Sequence, residues 1–399
     1  AAMVRQDYDD VISGVRDALA QDGTAALTDA GIQEWLGRRY RNIFLTECSN
    51  SSSALHAAKV PMPIQLVDRR SSRELLAARF LKGVNRQESQ AQLPPPPEPK
   101  LKGSTLLFVP GLMTGLLPVM AFQSVWGRIE ERFGVRILGA DVHPVRSCED
   151  NTADIALALE KGRGFDADSQ HIPAKDAKKP KDVILLGYDK GAADALTFLV
   201  DNPKLRERVK AFVGWAGIFG GSFIADDIYA RLDPTADAGY PLSGKIGKML
   251  RQIVPVVQAD RVTSRLEEYD VAAAIGDITT QVRTQYLADH IEEISAFGIP
   301  TFTVEGVTSL REVPYYQAMG VLQLNSYDKN NDMLITVGQA RLPIASATTL
   351  ASFRGHHWDL AYDPFPWFTR MGSQNVDHKF ARYPAMAALI ILLSEIGLM

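Results

Sequence analysis

The chain has 399 residues, 46% of them hydrophobic, and a net charge of -4 from 43 Lys and Arg against 47 Asp and Glu. That length supports one large core with attached smaller parts, or two domains, and the balance of charge gives no reason to expect a nucleic-acid partner. Two cysteines, Cys48 and Cys148, exclude a disulfide scaffold and leave one bridge open.

Residues 1–93 read as a helical region. DYDDVISGVRDALAQD carries Val11, Val15 and Leu19 on one helical face, and further helices are expected over Ile32–Phe44 and Ser72–Leu81. TECSNSSSALH between them reads as a loop. Proline then dominates LPPPPEP, fixing the backbone and removing donors, so residues 94–100 are expected to be a stiff linker.

From residue 101 to 399 the pattern changes. STLLFVPG, VRILGADVH, KDVILLGYD, VKAFVGWAG and PTFTVEGVTS are short apolar, β-branched runs, with helix-compatible stretches at Val125–Phe133, Thr152–Leu159 and Ala192–Val200. Strands alternating with helices predict an α/β fold, with a mostly parallel sheet covered on both faces and ligands beyond the carboxyl ends of its strands. Residues 219–297 interrupt the rhythm with helices expected over Ser243–Val256, Arg261–Tyr269, Ala272–Ile275 and Thr279–Phe297. They read as a helical cap or as ordinary peripheral helices. AMAALIILL near the end is too short for a membrane span and reads as a buried helix. No charged-then-apolar signal segment opens the chain. The cytoplasm is the default expectation, with a secreted or periplasmic mature chain left open.

The chemistry gathers on GYDKG, Gly187–Gly191, directly after the run DVILL. Two glycines around a central residue, between a strand and a helix, are what a sharp nucleophile elbow needs, because a side chain at either flank would strike neighbouring backbone. Its centre is Asp189. FVPGLMTG offers the backbone of Leu112 as one oxyanion donor, and the N–H of Lys190 at the helix start is the other. A later acid and base complete the order nucleophile, acid, histidine. Asp332 in YDKNNDMLITV is the preferred acid with Asp328 second, and His357 in GHHWDL is the preferred base with His356 second. Asp359 reads as a local hydrogen-bond partner. Met113, Leu116, Leu117, Phe219 and Phe223 are candidates for an apolar acyl pocket or for plain core. YDPFPWFTRMG, Tyr362–Gly372, is a candidate pocket wall, lid contact or association surface, and a homodimer is one use of it or of the N-terminal helices.

Neither a P-loop lysine nor a dinucleotide glycine fingerprint follows any strand, so no cofactor is expected. Asp141, His143 and the His356–His357 pair lack metal-ligand spacing, so no metal is expected.

With these motifs in this order, residues 100–395 resemble the α/β-hydrolase superfamily, most closely bacterial true lipases and carboxylesterases and polyester depolymerase-like esterases. FVPGLMTG looks like the lipase oxyanion loop, with Pro110 where histidine is common. SVWGRIEERFGVRILGADVH, WAGIFGGSFIADDI, NNDMLITV and GHHWDL resemble the segments that follow it. The resemblance implies an ester hydrolase acting on a hydrophobic small-molecule or oligomeric ester. Serine stands in such lipases where this chain has Asp189. Haloalkane dehalogenases and epoxide hydrolases do use aspartate there, but they commonly carry tryptophan where this chain has Lys190. The cap tyrosines of epoxide hydrolases find only loose candidates in Tyr229, Tyr240 and Tyr269. The sequence therefore carries three readings: a serine-type esterase with an impaired Asp form, an Asp-nucleophile hydrolase, and an inactive binding protein on the same fold.

Overall fold

The computed structural model describes residues 2–59, 68–232, 242–369 and 379–399. Six strands form one sheet: β1 Thr105–Val109, β2 Arg136–Gly139, β3 Val183–Tyr188, β4 Val209–Trp215, β5 Thr301–Val307 and β6 Thr348–Arg354. Their order is β2-β1-β3-β4-β5-β6 and every pairing is parallel. β1, β3 and β5 are buried along their whole length, and β1 and β3 accordingly read as nearly unbroken apolar runs. The chain leaves β1 to one side for β2 and to the other for β3, so the carboxyl ends of β1 and β3 flank a topological switch point.

The helices before the sheet are α1 Ala2–Asp22, α2 Ala30–Ser49, α3 Ser52–Ala58, α4 Ser72–Phe80 and α5 Arg86–Gln90. Between strands lie α6 Trp126–Phe133, α7 Cys148–Lys161, α8 Lys190–Asp201 and α9 Pro203–Arg206. They are followed by α10 Phe223–Arg231, α11 Leu242–Ile253, α12 Val271–Gly276, α13 Thr280–Ser295, α14 Ala318–Asn325 and α15 Arg382–Glu395. Alternation along β1 splits the core. Leu106 and Phe108 join one cluster with residues of α2, α6 and α15, while Leu107 and Val109 join another with α7, α8 and α13. No helix among the described residues is long and apolar enough to cross a membrane.

Within residues 219–297, α13 lies on the sheet's face through Leu287 and Ile294. Residues 254–270 instead run over the carboxyl edge, where the Gln258 N–H donates to Leu116 O at 2.7 Å and Arg261 donates to Leu117 O at 2.8 Å.

Several expectations need correction. Arg261–Tyr269 is not a helix but two 3₁₀ turns, Ala259–Arg261 and Leu266–Glu268, separated at Arg265, whose φ of 53° no α-helix allows. The serine-rich stretch expected as a loop is mostly helical: α2 runs on to Ser49, and Ser51 caps α3 by accepting from the Ala54 N–H. β6 has no counterpart among the expected strands. Cys48 and Cys148 are both free and buried, so they form no bridge. Tyr240 and the end of the aromatic loop, residues 370–372, lie outside the described residues.

Candidate active site

β3 ends at Tyr188 and α8 begins at Lys190, leaving one residue to reverse the chain. That residue, Asp189, has φ 57° and ψ −133°, a conformation costing an aspartate about 1–3 kcal/mol. Close packing holds it there. A Cβ on Gly187 would lie 2.5 Å from Ala192 Cα, and one on Gly191 would overlap the carbonyl oxygens of Val109 and Pro110. One on Gly111 would lie 2.6 Å from Asp189 Cβ, so the loop after β1 also approaches the turn through a glycine.

The Asp189 carboxylate is engaged at both oxygens. Oδ1 accepts from the Leu112 N–H at 3.0 Å, and Oδ2 lies 2.7 Å from His357 Nε2. The other ring nitrogen, Nδ1, lies 2.7 Å from Asp332 Oδ2. The second Asp332 oxygen accepts from the Leu334 and Ile335 N–H groups, fixing its rotamer. The structure thus brings together Asp189, His357, Asp332 and the Leu112 backbone, with Lys190 opening the helix beside them.

The histidine loop is held from three sides. The His357 N–H donates to Asp332 O at 2.9 Å, the Tyr188 hydroxyl donates to His357 O at 2.8 Å, and Trp215 Nε1 donates to Leu360 O at 3.0 Å. Tyr188 also lays its ring 5.1 Å from the His357 ring. Neither Tyr188 nor Trp215 was singled out from the sequence; the position of Tyr188 inside GYDKG was the available signal.

Burial alone would lower the His357 pKa. The charge of Asp332 and the hydrogen bonds to both carboxylates outweigh it and raise the value to about 10. At neutral pH the ring is therefore an imidazolium donating to two carboxylates. It holds a proton rather than standing ready to take one. The Asp189 side chain is 10% exposed and that of His357 1%.

The alternatives sort differently. His356 turns its ring to Asp359: Nδ1 accepts from the Asp359 N–H at 3.1 Å and Nε2 lies 3.0 Å from Asp359 Oδ1, so this histidine does not serve Asp189. Asp328 accepts from the Asn330 N–H within its own turn rather than meeting His357. Phe219 is no pocket residue. It is fully buried against Phe212, in space left by Gly214 and Gly217. Phe223, at the start of α10, stacks on the exposed ring of Tyr327, 3.7 Å between centroids. Met113, Leu116 and Leu117 are buried core residues beside the half-buried Leu112. Of the loose tyrosine candidates, Tyr269 packs edge-on to His143 and Tyr229 is exposed on α10. Of the aromatic loop, Tyr362 and Phe365 are buried, while Trp367 and Phe368 stand out in solvent. Among the described residues no three His, Cys, Asp or Glu side chains gather as a metal ion would require.

No protein-family model and no curated protein matches the chain. Among solved structures it is similar to a metagenomic carboxyl esterase, 18% identical over 90% of this chain and 91% of that one, with a TM-score of 0.61. A mature lipase of Bacillus licheniformis (19% identical, 66% of this chain and 89% of that one) superposes with a TM-score of 0.45. Lipase 1 of Pelosinus fermentans (11% identical, 73% and 99%) gives 0.42. The first of these carries the conclusion for the fold: the chain has the α/β-hydrolase fold.

Proposed function

We propose that this chain is a carboxylic ester hydrolase of the serine type in which Asp189 occupies the nucleophile's position and holds the machinery inactive. The observation that carries this reading is the geometry of one carboxylate. Oδ2 takes the place on His357 that a hydroxyl would need, and Oδ1 takes the Leu112 N–H that a developing oxyanion would need. A serine at 189 would leave the N–H groups of Leu112 and Lys190 open. Its hydroxyl would attack the ester carbonyl, His357 would take the proton and later return it to the leaving alcohol, and Asp332 would hold the ring. With aspartate, the ester oxygen must compete with a bound carboxylate. Attack by that carboxylate on an ester would form a mixed anhydride and expel a poor alkoxide. The substrate class we carry forward is a hydrophobic ester, supported by the half-buried Leu112 and by exposed Trp367 and Phe368 after the histidine loop.

A second reading has its own support. Oδ1 pinned by a backbone N–H leaves Oδ2 as the atom that could attack an alkyl carbon, displacing halide or opening an epoxide. His357 would then have to release Oδ2 and its proton before activating water.

A panel of p-nitrophenyl esters, haloalkanes and epoxides offered to the chain and to Asp189→Ser separates the readings. Ester hydrolysis rising about 100-fold or more with serine supports the proposal. Equal ester activity in both forms overturns it. Turnover of haloalkanes or epoxides by the aspartate form, lost with serine, selects the second reading. Silence of both forms on every substrate points to a binding protein.

A further inference from the structure

The side chain of Lys190 is buried directly behind the elbow, 2% exposed, and Nζ lies 2.7 Å from Asp194 Oδ1 one turn along α8. Burial alone would lower this ammonium's pKa; the groups facing it, Asp194 foremost, together outweigh that and raise the value. The other oxygen of Asp194 accepts from Asn151 Nδ2 at 2.8 Å. Asn151 grips the turn after β2 from both sides: Oδ1 accepts from the His143 N–H at 3.1 Å and Nδ2 reaches His143 O at 3.3 Å. The next carbonyl, Pro144 O, accepts from the Met113 N–H at 2.8 Å, one residue beyond the Leu112 N–H that faces Asp189.

His143 fixes the turn further. Its Nε2 faces Arg265 O at 3.2 Å and so carries the proton, leaving Nδ1 to accept from the Val145 N–H. Arg146 donates from Nε to Asn151 Oδ1 at 2.8 Å. These groups satisfy one another in this arrangement, and rigidity is what a buried, satisfied polar network supplies.

We infer that Lys190, Asp194 and Asn151 are positioning residues: acting through the turn 143–145, they set the Leu112 N–H at its distance from residue 189. The network joins the two elements that carry the oxyanion donors, α8 with the Lys190 N–H and the loop after β1 with the Leu112 N–H. An ion pair serving stability alone would be replaceable by apolar side chains of similar volume at little cost. A positioning network would not be, because its value lies in where it places Leu112.

The inference rests on the ester-hydrolase reading, and the experiment separates the two. In the Asp189→Ser chain, the double change Lys190→Met with Asp194→Leu keeps the volume and removes the network, and Asp194→Asn is the milder variant of the same shape. Expected are a thermal midpoint close to the parent's, kcat down about 10–100-fold, and KM within about threefold. A folded double variant with unchanged kcat overturns the inference. Should Asp189→Ser hydrolyse nothing, the function reading fails, yet the positioning is still measurable in the chain as it stands. There the Leu112 amide proton, shifted downfield by its carboxylate acceptor, should move upfield by NMR in Asp194→Asn. An unmoved Leu112 resonance would overturn the inference independently of any activity.

Discussion

At the residue scale, the site turns on one proton. His357 is fully enclosed between Asp189 and Asp332, each 2.7 Å from a ring nitrogen, and two carboxylates at that distance stabilise the imidazolium more than burial destabilises it. The His357 resonances should therefore report a protonated ring at pH 8 and titrate near 10. In Asp189→Asn, which keeps the shape and removes one charge, the titration should move down. A ring already neutral at pH 8 in the unaltered chain would contradict this account of the site. The same pKa makes a statement about stability. The folded value lies above the ordinary 6.5, so the contribution is fully present below about 6.5 and is lost as pH rises through about 10. Thermal melts should show the midpoint of the chain falling across that window more steeply than that of Asp189→Asn.

At the scale of elements, the elbow is a steric construction. β3 and α8 come so close to β1 that Gly191 faces the carbonyl oxygens of Val109 and Pro110, with no room for a methyl group. Gly191→Ala should cost about 3 kcal/mol or more, the upper end of overpacking costs, measurable as a lowered denaturation midpoint or as loss of soluble protein. A variant melting with the parent would mean the turn is looser than described. Such local constraints are why GYDKG was legible: the sequence carries the glycines and the apolar strand side by side. The parallel sheet followed from the alternation of runs, except for β6; the order of its strands did not. TTLASFR has no unbroken apolar stretch, because an edge strand is only partly covered. The choice between His356 and His357 was harder to read, since neighbouring residues differ only in which way the loop turns their rings. Phe219 misled because its burial depends on a slot beside Gly214 and Gly217 that exists only once β4 is in place. Arg261–Tyr269 has helical spacing, but Arg265 leaves it to join Asp154 and Glu268 in a network with Arg146. No local pattern announces pairings that distant.

At the scale of the molecule, the described helices before the proline stretch share the sheet's core. α2 packs against both β6 and α15, and Tyr40 donates to Ala385 O at 2.8 Å. Tyr40 and Phe44 also meet Phe353 of β6 edge to face. The connection is sealed by a buried ion pair: Arg39 donates from Nε and Nη2 to the two oxygens of Glu395, each at 2.7 Å, and Tyr8 adds its hydroxyl at 2.9 Å. We propose that the N-terminal region is an integral layer of the α/β-hydrolase fold, so the proline stretch joins parts that fold together. Removing residues 1–93 should then leave α15 and one side of β6 uncovered and give no soluble monomer. That experiment alone is coarse, because a truncated chain can fail for many reasons. The ion pair gives a finer one. Glu395→Ala strands the Arg39 guanidinium in the core and should cost about 3–5 kcal/mol by denaturant titration, whereas Arg39→Met combined with Glu395→Leu should recover most of it. A single transition lost by both probes, one in α2 and one in β3, would fit one cooperative unit. Two separable transitions in Glu395→Ala would mean that the helices before the proline stretch form a domain of their own.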